Sequence, residues 1–237
     1  MLARIHDLLE IDAQSLLNAN SSAPAWVAES LAAAPFVVVR RGLAPTGVIA
    51  VGVRGGARNQ RWAGSCAESW IRRVITPAEL LSGAPLRSRA AAIPALRALV
   101  FLARHESWSA FPHQWGPGGS VGFELATGRP TATPRSDLDI VIYADERLSI
   151  EEANRLHAAT QNLASAVDVR VETPVCGFSL AEYANRAPAS ILLRGTVGAM
   201  LGVDPWRSCS NSSITDPSPS TTTAAATLGA ATPASHP

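Results

Sequence analysis

The sequence contains no lysine, because all 20 of its basic residues are arginine. This absence excludes mechanisms that need a lysine amine: a P-loop lysine, a pyridoxal phosphate Schiff base and a lysyl-nucleotide intermediate. Cysteine is also scarce, and Cys66, Cys176 and Cys209 show no C-x-x-C spacing. The sequence therefore indicates neither a disulfide framework nor a zinc knuckle.

Long hydrophobic runs and a large charge imbalance are missing as well. The longest apolar stretch, Leu31 to Val39, is interrupted by Pro35 and is far shorter than the roughly 20 residues that span a bilayer. Charged residues from Arg4 onward interrupt the start of the chain before the apolar segment of a signal peptide develops. A net charge of +1 argues against a broad nucleic-acid-binding surface. We expect a cytoplasmic protein with no membrane and no nucleic-acid partner.

The chain does contain a glycine-serine step, Gly119-Ser120, followed by Asp137 and Asp139 at the head of an apolar run. Residues two apart on a strand point to the same face, so the two carboxylates are expected to project together. Their repulsion favours a cation between them, and hard oxygen ligands favour Mg²⁺ or Mn²⁺. Backbone N–H groups of the glycine-serine step can hold a polyphosphate. This layout resembles the nucleotidyltransferase site of polymerase-β-like enzymes.

A third carboxylate is expected from the strand Val167 to Glu172, where valines alternate with Asp168, Arg170 and Glu172. Asp168 is the first candidate and Glu172 the second, with Arg170 between them as a counter-ion. Taken alone, the Asp-x-Asp sequence is also typical of a turn that leads into an ordinary strand. Its combination with the glycine-serine step and a later acidic strand favours the catalytic interpretation.

The chain resembles the malonate decarboxylase holo-acyl-carrier-protein synthases, also called phosphoribosyl-dephospho-CoA transferases. The similarity covers nearly everything except the C-terminal tail. The matching blocks are His6–Leu9, Val51–Gly55, Gln60–Gly64, Pro94–Leu99, Gly119–Gly128, Ser136–Asp139 and Asp204–Trp206.

This resemblance implies a specific reaction. The donor would be 2'-(5''-triphosphoribosyl)-3'-dephospho-CoA, and the acceptor a serine of the apo acyl carrier protein subunit of malonate decarboxylase, with release of pyrophosphate. Asp137 and Asp139 match the acidic motif of the family and Gly119-Ser120 its phosphate-binding turn. Asp168 is assigned by its position on a strand.

Composition and local pattern divide the chain into an N-terminal α/β domain (1–81), a linker (82–92), a polymerase-β-like catalytic domain (93–207) and a tail (208–237). The fold class is therefore α/β, in the α+β arrangement. The tail is rich in Ser, Thr, Ala and Pro and has few large apolar residues. We expect it to be disordered, because burial cannot offset its ordering entropy.

Local signals place most elements. We expect a helix near Ser30, a helix from Pro94 to about Arg104, and strands at 36–39 and 48–53. The alternation of Val121, Phe123 and Leu125 predicts a strand directly after the glycine-serine step. Two capping boxes, Ser149 with Glu152 and Ser179 with Glu182, predict two further helix starts. An apolar segment at 191–193 closes the domain.

Other residues keep two interpretations each. His6 matches a family position and could contact substrate, as could His113, although a cap or surface role is the commoner one. For Trp62 and Trp115 the two interpretations are packing in a core and stacking on the adenine of the donor. The N-terminal arginines form a solvated rim or bind donor phosphates or an acidic carrier protein. They are Arg40, Arg41, Arg54, Arg58, Arg61, Arg72 and Arg73.

Three functions remain open on the sequence. The first is the carrier-protein transferase described above. The second is another polymerase-β-like transferase that acts on a protein or a small molecule, which a panel of nucleotide donors would separate from the first. The third is a catalytically inert module that binds a carrier protein, for which substitution of Asp137 or Asp139 by asparagine would leave the role intact.

Overall fold

The structure is a computed structural model that describes residues 3–57, 59–82, 89–185 and 190–207. Most of the expected linker (82–92), the tail (208–237) and Arg58 lie outside the described residues. The described chain forms two sheets with helices packed on them, which confirms the mixed α/β class. Among the helices of this described part, none has the length and apolar character needed to cross a membrane.

The N-terminal half builds a five-stranded antiparallel sheet in the order β4-β3-β2-β1-β5. Its strands are β1 (Leu8–Ile11), β2 (Phe36–Val39), β3 (Val48–Arg54), β4 (Arg61–Ala67) and β5 (Ile71–Ile75). The helices are α1 (Ala13–Ala19) and α2 (Ala25–Ala33), with short 3₁₀ helices at Glu68–Trp70 and Ala78–Ser82. The expected helix near Ser30 and both expected strands are present.

Side-chain alternation explains how this sheet packs. Val51 and Val53 of β3 are buried on the sheet face that packs against Leu16 of α1 and Leu31 of α2. Asp12 caps α1 by accepting hydrogen bonds from the backbone N–H groups of the next turn. The opposite face of the sheet is therefore left to pack against the C-terminal half.

The C-terminal half builds a six-stranded sheet in the order β11-β10-β9-β8-β7-β6. Its helices are α3 (Pro94–Leu102), α4 (Glu106–Ser109), α5 (Gly119–Thr127), α6 (Ile150–Thr160) and α7 (Leu180–Ala184). The strands are β6 (Gln114–Pro117), β7 (Leu138–Tyr143), β8 (Val167–Glu172), β9 (Gly177–Ser179), β10 (Ile191–Arg194) and β11 (Ala199–Gly202). The pair β7–β8 is parallel and is connected through α6, as a parallel crossover requires.

The prediction of a strand directly after the glycine-serine step is wrong, because residues 119–127 form helix α5. Alternating apolar residues over so short a segment fit a helix as well as a strand. Gly122 is buried close to the carbonyl oxygen of Pro117, and Glu124 is only 6% exposed. Glu124 pairs with Arg89 and accepts hydrogen bonds from the N–H groups of residues 131 and 132. Tertiary partners that are distant in sequence thus make the helix the better solution.

The two predicted capping boxes have different outcomes. Ser149 and Glu152 form a complete box at the start of α6, with the Ser149 hydroxyl oxygen accepting from the Glu152 N–H. Ser179 does precede α7, but its side chain makes no capping hydrogen bond. Glu182 instead accepts a hydrogen bond from the N–H of Leu192. The helix start is therefore confirmed, and the box itself is wrong.

Asp7 joins the two halves of the molecule. Its carboxylate is 1% exposed and accepts hydrogen bonds from the Tyr143 hydroxyl (2.9 Å) and the Arg4 N–H (2.7 Å). Burial raises the pKa of Asp7, and these two donors oppose that effect. The Arg4 guanidinium lies over the Tyr143 ring and pairs with Asp145. These contacts fix the segment before β1 against the C-terminal sheet.

Candidate active site

Asp139 is the second residue of β7, and Asp137 directly precedes that strand. Asp139 is half-buried, whereas Asp137 is exposed. Burial raises the pKa of Asp139, and the negative charges of Asp168 and Asp137 raise it further. The sequence therefore places the acidic pair where the two carboxylates influence each other.

The glycine-serine step lies against this acid. The Gly118 N–H donates a hydrogen bond of 2.9 Å to the Asp139 carbonyl oxygen, and α5 begins at the next residue. Gly119 has φ +54°, and a β-carbon there would lie 2.7 Å from the Asp139 carboxyl carbon and closer still to Oδ2. Only glycine fits this approach. The first N–H groups of α5 therefore open beside the acids, which is the geometry that binds phosphate in many proteins.

Ser120 is the second residue of α5, and its backbone is held in place. Its carbonyl oxygen accepts a 2.8 Å hydrogen bond from the Thr131 hydroxyl, in the loop that leads to β7. Glu124, one turn further along α5, holds the same loop through the N–H groups of residues 131 and 132. The turn and the loop before Asp137 are consequently fixed as one unit.

The parallel pairing of β7 and β8 brings a third carboxylate to the site. Asp168 is the direct partner of Asp139 in the register of the two strands. Its side chain is 46% exposed, and Arg170 pairs with it at 3.0 Å. Asp137 and Asp168 thus both lie within electrostatic reach of Asp139, the acid that Gly119 contacts.

Glu172, the second candidate for the third carboxylate, lies at the far end of β8, opposite Tyr143. It is buried, forms an ion pair with Arg41 and accepts a hydrogen bond of 2.9 Å from Nε2 of His6. A carboxylate already held by two donors from the N-terminal half has little capacity left for a metal. This arrangement favours Asp168 for the third position.

His6, the partner of Glu172, has an uncommon backbone conformation with φ +76°. A carboxylate can only accept a hydrogen bond. Nε2 is therefore the protonated ring nitrogen of His6, and its N–H donates to Glu172. Burial and the positive charges of Arg41 and Arg170 lower the pKa of His6 to about 4. The imidazole is therefore neutral at neutral pH. The sequence singled out His6 but gave no indication of Glu172 as its partner.

Sequence reasoning did not assign Arg41 and Arg54 individually. Arg41 reaches across from the end of β2 to Glu172, and burial lowers its pKa. Arg54, the last residue of β3, is exposed, and its positive charge lowers the pKa of Asp139 against the effect of burial. Arg72, by contrast, makes a surface contact with Asp12. The N-terminal arginines thus divide between the site region and the solvated rim.

Both tryptophans with open roles contribute to cores. Trp115 is 6% exposed, its ring lies 4.6 Å from that of Trp108, and its Nε1–H donates to the Trp108 carbonyl. Trp62 packs against the core of the N-terminal half. His113 lies beside the Phe111 ring. These contacts favour the core interpretation of both tryptophans.

The residues present fit a divalent cation shared with a substrate better than a cation held by protein alone. Within residues 3–57, 59–82, 89–185 and 190–207, no group of three or more His, Cys, Asp and Glu side chains is arranged to hold a metal. Asp168 is turned to Arg170. Mg²⁺ is usually bound through one or two carboxylates and takes further ligands from water and substrate phosphates. Asp137 and Asp139 beside the start of α5 supply such a donor set.

Comparison with known proteins gives matches along most of the chain. Residues 4–77 match the N-terminal domain, and residues 84–205 the C-terminal domain, of the phosphoribosyl-dephospho-CoA transferase MdcG. A phosphoribosyl-dephospho-CoA transferase of Azotobacter vinelandii is 39% identical over 214 residues, or 87% of this chain and 96% of the relative. Those of Pseudomonas aeruginosa and Klebsiella pneumoniae are each 38% identical, over 85% and 86% of this chain and 93% and 96% of theirs. No solved structure matches the chain.

Proposed function

The chain belongs to the phosphoribosyl-dephospho-CoA transferase family, and from this premise we propose its donor and its acceptor. The donor is 2'-(5''-triphosphoribosyl)-3'-dephospho-CoA. The acceptor is a serine of the apo acyl carrier protein subunit of malonate decarboxylase, and pyrophosphate is released. Membership of this family makes the chain an enzyme that transfers a group, so the hypothesis of an inert binding module is dropped.

One observation supports this chemistry more than any other. Gly119 opens α5 directly against Asp139, and Asp168 is the in-register partner of the same aspartate. A polyphosphate bound by the first N–H groups of α5 would lie beside the carboxylates. Positioning and charge neutralisation supply most of the catalysis in phosphoryl transfer, and this site offers both.

The glycine-serine step and the carboxylates have different roles in this reaction. Gly119 and Ser120 bind the donor polyphosphate through backbone N–H groups and the Ser120 hydroxyl. Asp137 and Asp139 would hold Mg²⁺ or Mn²⁺ together with phosphate oxygens of the donor, and Asp168 would join them as the third carboxylate on release from Arg170. The cation supplies neutralisation of the negative charge on the phosphates.

The reaction exchanges one bond at the α-phosphorus for another. The serine oxygen of the acceptor forms a bond to this phosphorus, and the bond to the departing pyrophosphate breaks. The serine proton is lost, and the product is a phosphodiester on the carrier protein. No covalent intermediate with the enzyme is needed. We assign the C-terminal half to the polymerase-β-like nucleotidyltransferases on the order of its parts: a glycine-serine turn, an acidic strand and a further acidic strand.

The test is the intact mass of the apo acyl carrier protein after incubation with the enzyme, Mg²⁺ and the donor. We expect a mass gain equal to phosphoribosyl-dephospho-CoA, which is absent with chelator and with Asp139→Asn. The matched control is Glu146→Gln, because Glu146 is an exposed acid beyond the far end of β7. It should label the carrier at the wild-type rate.

A folded enzyme that produces no mass gain would refute the proposed donor and acceptor. Nucleoside triphosphates in place of the dephospho-CoA donor then test the broader nucleotidyltransferase hypothesis. Labelling that persists in Asp139→Asn would instead refute the assignment of the acidic pair. The cytoplasmic location stays a prediction.

A further inference from the structure

The hairpin formed by β3 and β4 places two arginines directly opposite each other. Arg54 and Arg61 are cross-strand partners at the closed end of the hairpin, and both are exposed. Neither side chain makes a hydrogen bond or an ion pair with another residue in the part of the chain that the structure describes. Like charges directly opposite on antiparallel strands destabilise the pair. Repulsion between the two guanidinium groups therefore destabilises this hairpin, and a bound anion would relieve that repulsion.

The two arginines lie on the sheet face that is turned away from α1 and α2. Gly52, two residues before Arg54, pairs with Val38 of β2, so both share a face with Phe36. The Phe36 ring packs edge-on against Phe123 of α5, with 6.4 Å between the ring centroids. Arg54 and Arg61 thus extend from the face that contacts the helix carrying the phosphate-binding turn.

A third arginine borders the same surface. The side chain of Arg40 lies over Gly52, with Cδ 3.7 Å from the position that a β-carbon on this glycine would take. Arg40 is exposed as well. The surface beside the hairpin therefore collects positive charge and exposes no acidic group from β3 or β4 on that face.

The position of Arg54 connects this surface with the acidic site. Its positive charge opposes the effect of burial on the pKa of Asp139, so the guanidinium lies within electrostatic reach of that carboxylate. Gly119, at the start of α5, touches the same carboxylate. A polyphosphate at the start of α5 would therefore lie beside the carboxylate on which the charge of Arg54 acts.

We propose that Arg54 and Arg61, here called the arginine fork, bind the polyphosphate of the donor, the part that leaves as pyrophosphate. This inference rests on the proposed function and adds to it the residues that recognise the leaving group. Guanidinium groups bind phosphate oxygens in a bidentate manner, which suits two arginines that face one anion. Binding the anion also relieves the repulsion between the two side chains.

The experiment measures binding of inorganic tripolyphosphate to the full chain by calorimetry, without divalent cation. Arg54→Ser and Arg61→Ser are each expected to weaken binding by about tenfold or more, the effect of losing a charge-assisted hydrogen bond. Arg72→Ser is the matched control, because Arg72 is an exposed arginine on β5 that pairs with Asp12. It should bind tripolyphosphate like the wild type.

A second readout separates recognition from folding. Without ligand, either serine variant should unfold at the same or a higher temperature than the wild type, because the repulsion across the hairpin is gone. The stabilisation that tripolyphosphate gives the wild type should be reduced in both variants and retained in Arg72→Ser. A fork that only supports the fold would show the opposite pattern in the absence of ligand.

Two outcomes would overturn the fork. One is tripolyphosphate affinity that is absent in the wild type or unchanged in both fork variants. The other is a loss of affinity for dephospho-CoA, titrated in the same way, without a loss of affinity for tripolyphosphate. That result would assign the arginines to the diphosphate of the dephospho-CoA moiety. Tripolyphosphate binding that depends on the fork, together with no labelling of the carrier protein, would leave the fork as a polyphosphate site and refute the proposed donor and acceptor.

Discussion

Gly119 and Asp139 approach each other so closely that the glycine has no room for a side chain. This contact unites the phosphate-binding turn and the acidic strand, which are separate features of the sequence. The contact can be tested by substitution, because Gly128 at the other end of α5 has the same left-handed conformation and serves as a control.

Gly119→Ala should reduce transferase activity by about 100-fold or more, because the new methyl group displaces the carboxylate. Gly128→Ala is the control, since Gly128 has φ +71° and open space around it. Gly128→Ala should lose roughly 1 kcal/mol of stability, the cost of the left-handed conformation for alanine, and Gly119→Ala should lose at least as much because its methyl group also clashes with Asp139. Rates of carrier labelling and urea denaturation measure the two effects. Equal activity in the two variants would contradict the proposed role of the contact.

Asp168→Asn and Glu172→Gln should separate the two candidates for the third carboxylate. Asp168 is 46% exposed, so its loss should slow turnover by about 100-fold with little change in stability. Glu172 is buried against Arg41 and His6, so its loss should cost about 2 kcal/mol or more of folding free energy. Single-turnover labelling and chemical denaturation give the two values. Full turnover in Asp168→Asn would assign the third position elsewhere.

The stability of the protein should fall between pH 6.5 and pH 4 partly because of His6. Its pKa is about 4 in the folded protein, against the ordinary histidine value of 6.5, so the unfolded chain takes up the proton first as the pH falls. The contribution is fully present above pH 6.5 and is lost on acidification through this window. The ionisable groups that act on the ring are Glu172, Arg41, Arg170, Asp139 and Asp7.

His6→Asn isolates this contribution, because asparagine tolerates the positive φ of the site. The loss of unfolding free energy between pH 7 and pH 5 should be smaller in the variant than in the wild type. Asp7 and Asp139, whose pKa values are raised, act in the opposite direction in both proteins. Identical pH profiles would show that His6 is free to ionise in the folded state.

Ser149→Ala should cost about 1 kcal/mol, because the hydroxyl caps α6 in a complete capping box. Ser179→Ala should cost less than about 0.5 kcal/mol, since the Ser179 side chain makes no capping hydrogen bond at α7. The two sites have the same Ser-x-x-Glu spacing, so each serves as the control for the other. Urea denaturation at pH 7 measures the difference. Equal losses would mean that sequence spacing alone predicts the cap.

Elements with a strong local signal could be predicted from the sequence. The strands at 36–39 and 48–54 and the helices that start at Pro94 and Ile150 follow from periodicity and capping residues. Helix α5 could not, because nine residues with three alternating apolar positions do not distinguish a helix from a strand. Burial of Glu124 against Arg89, 35 residues away, decided that element.

The sequence by itself determined which residue types are available for the chemistry: a glycine-serine step, an Asp-x-Asp pair, an acidic strand and a chain without lysine. Only the tertiary structure decided which of them meet. The parallel register pairs Asp168 with Asp139, and the contact of His6 with Glu172 joins residues separated by 166 positions. Neighbours in sequence fix local conformation, whereas these contacts depend on strand register within one sheet and on how the two sheets pack. Residues of the N-terminal half therefore enter the site region through the fold and not through any motif.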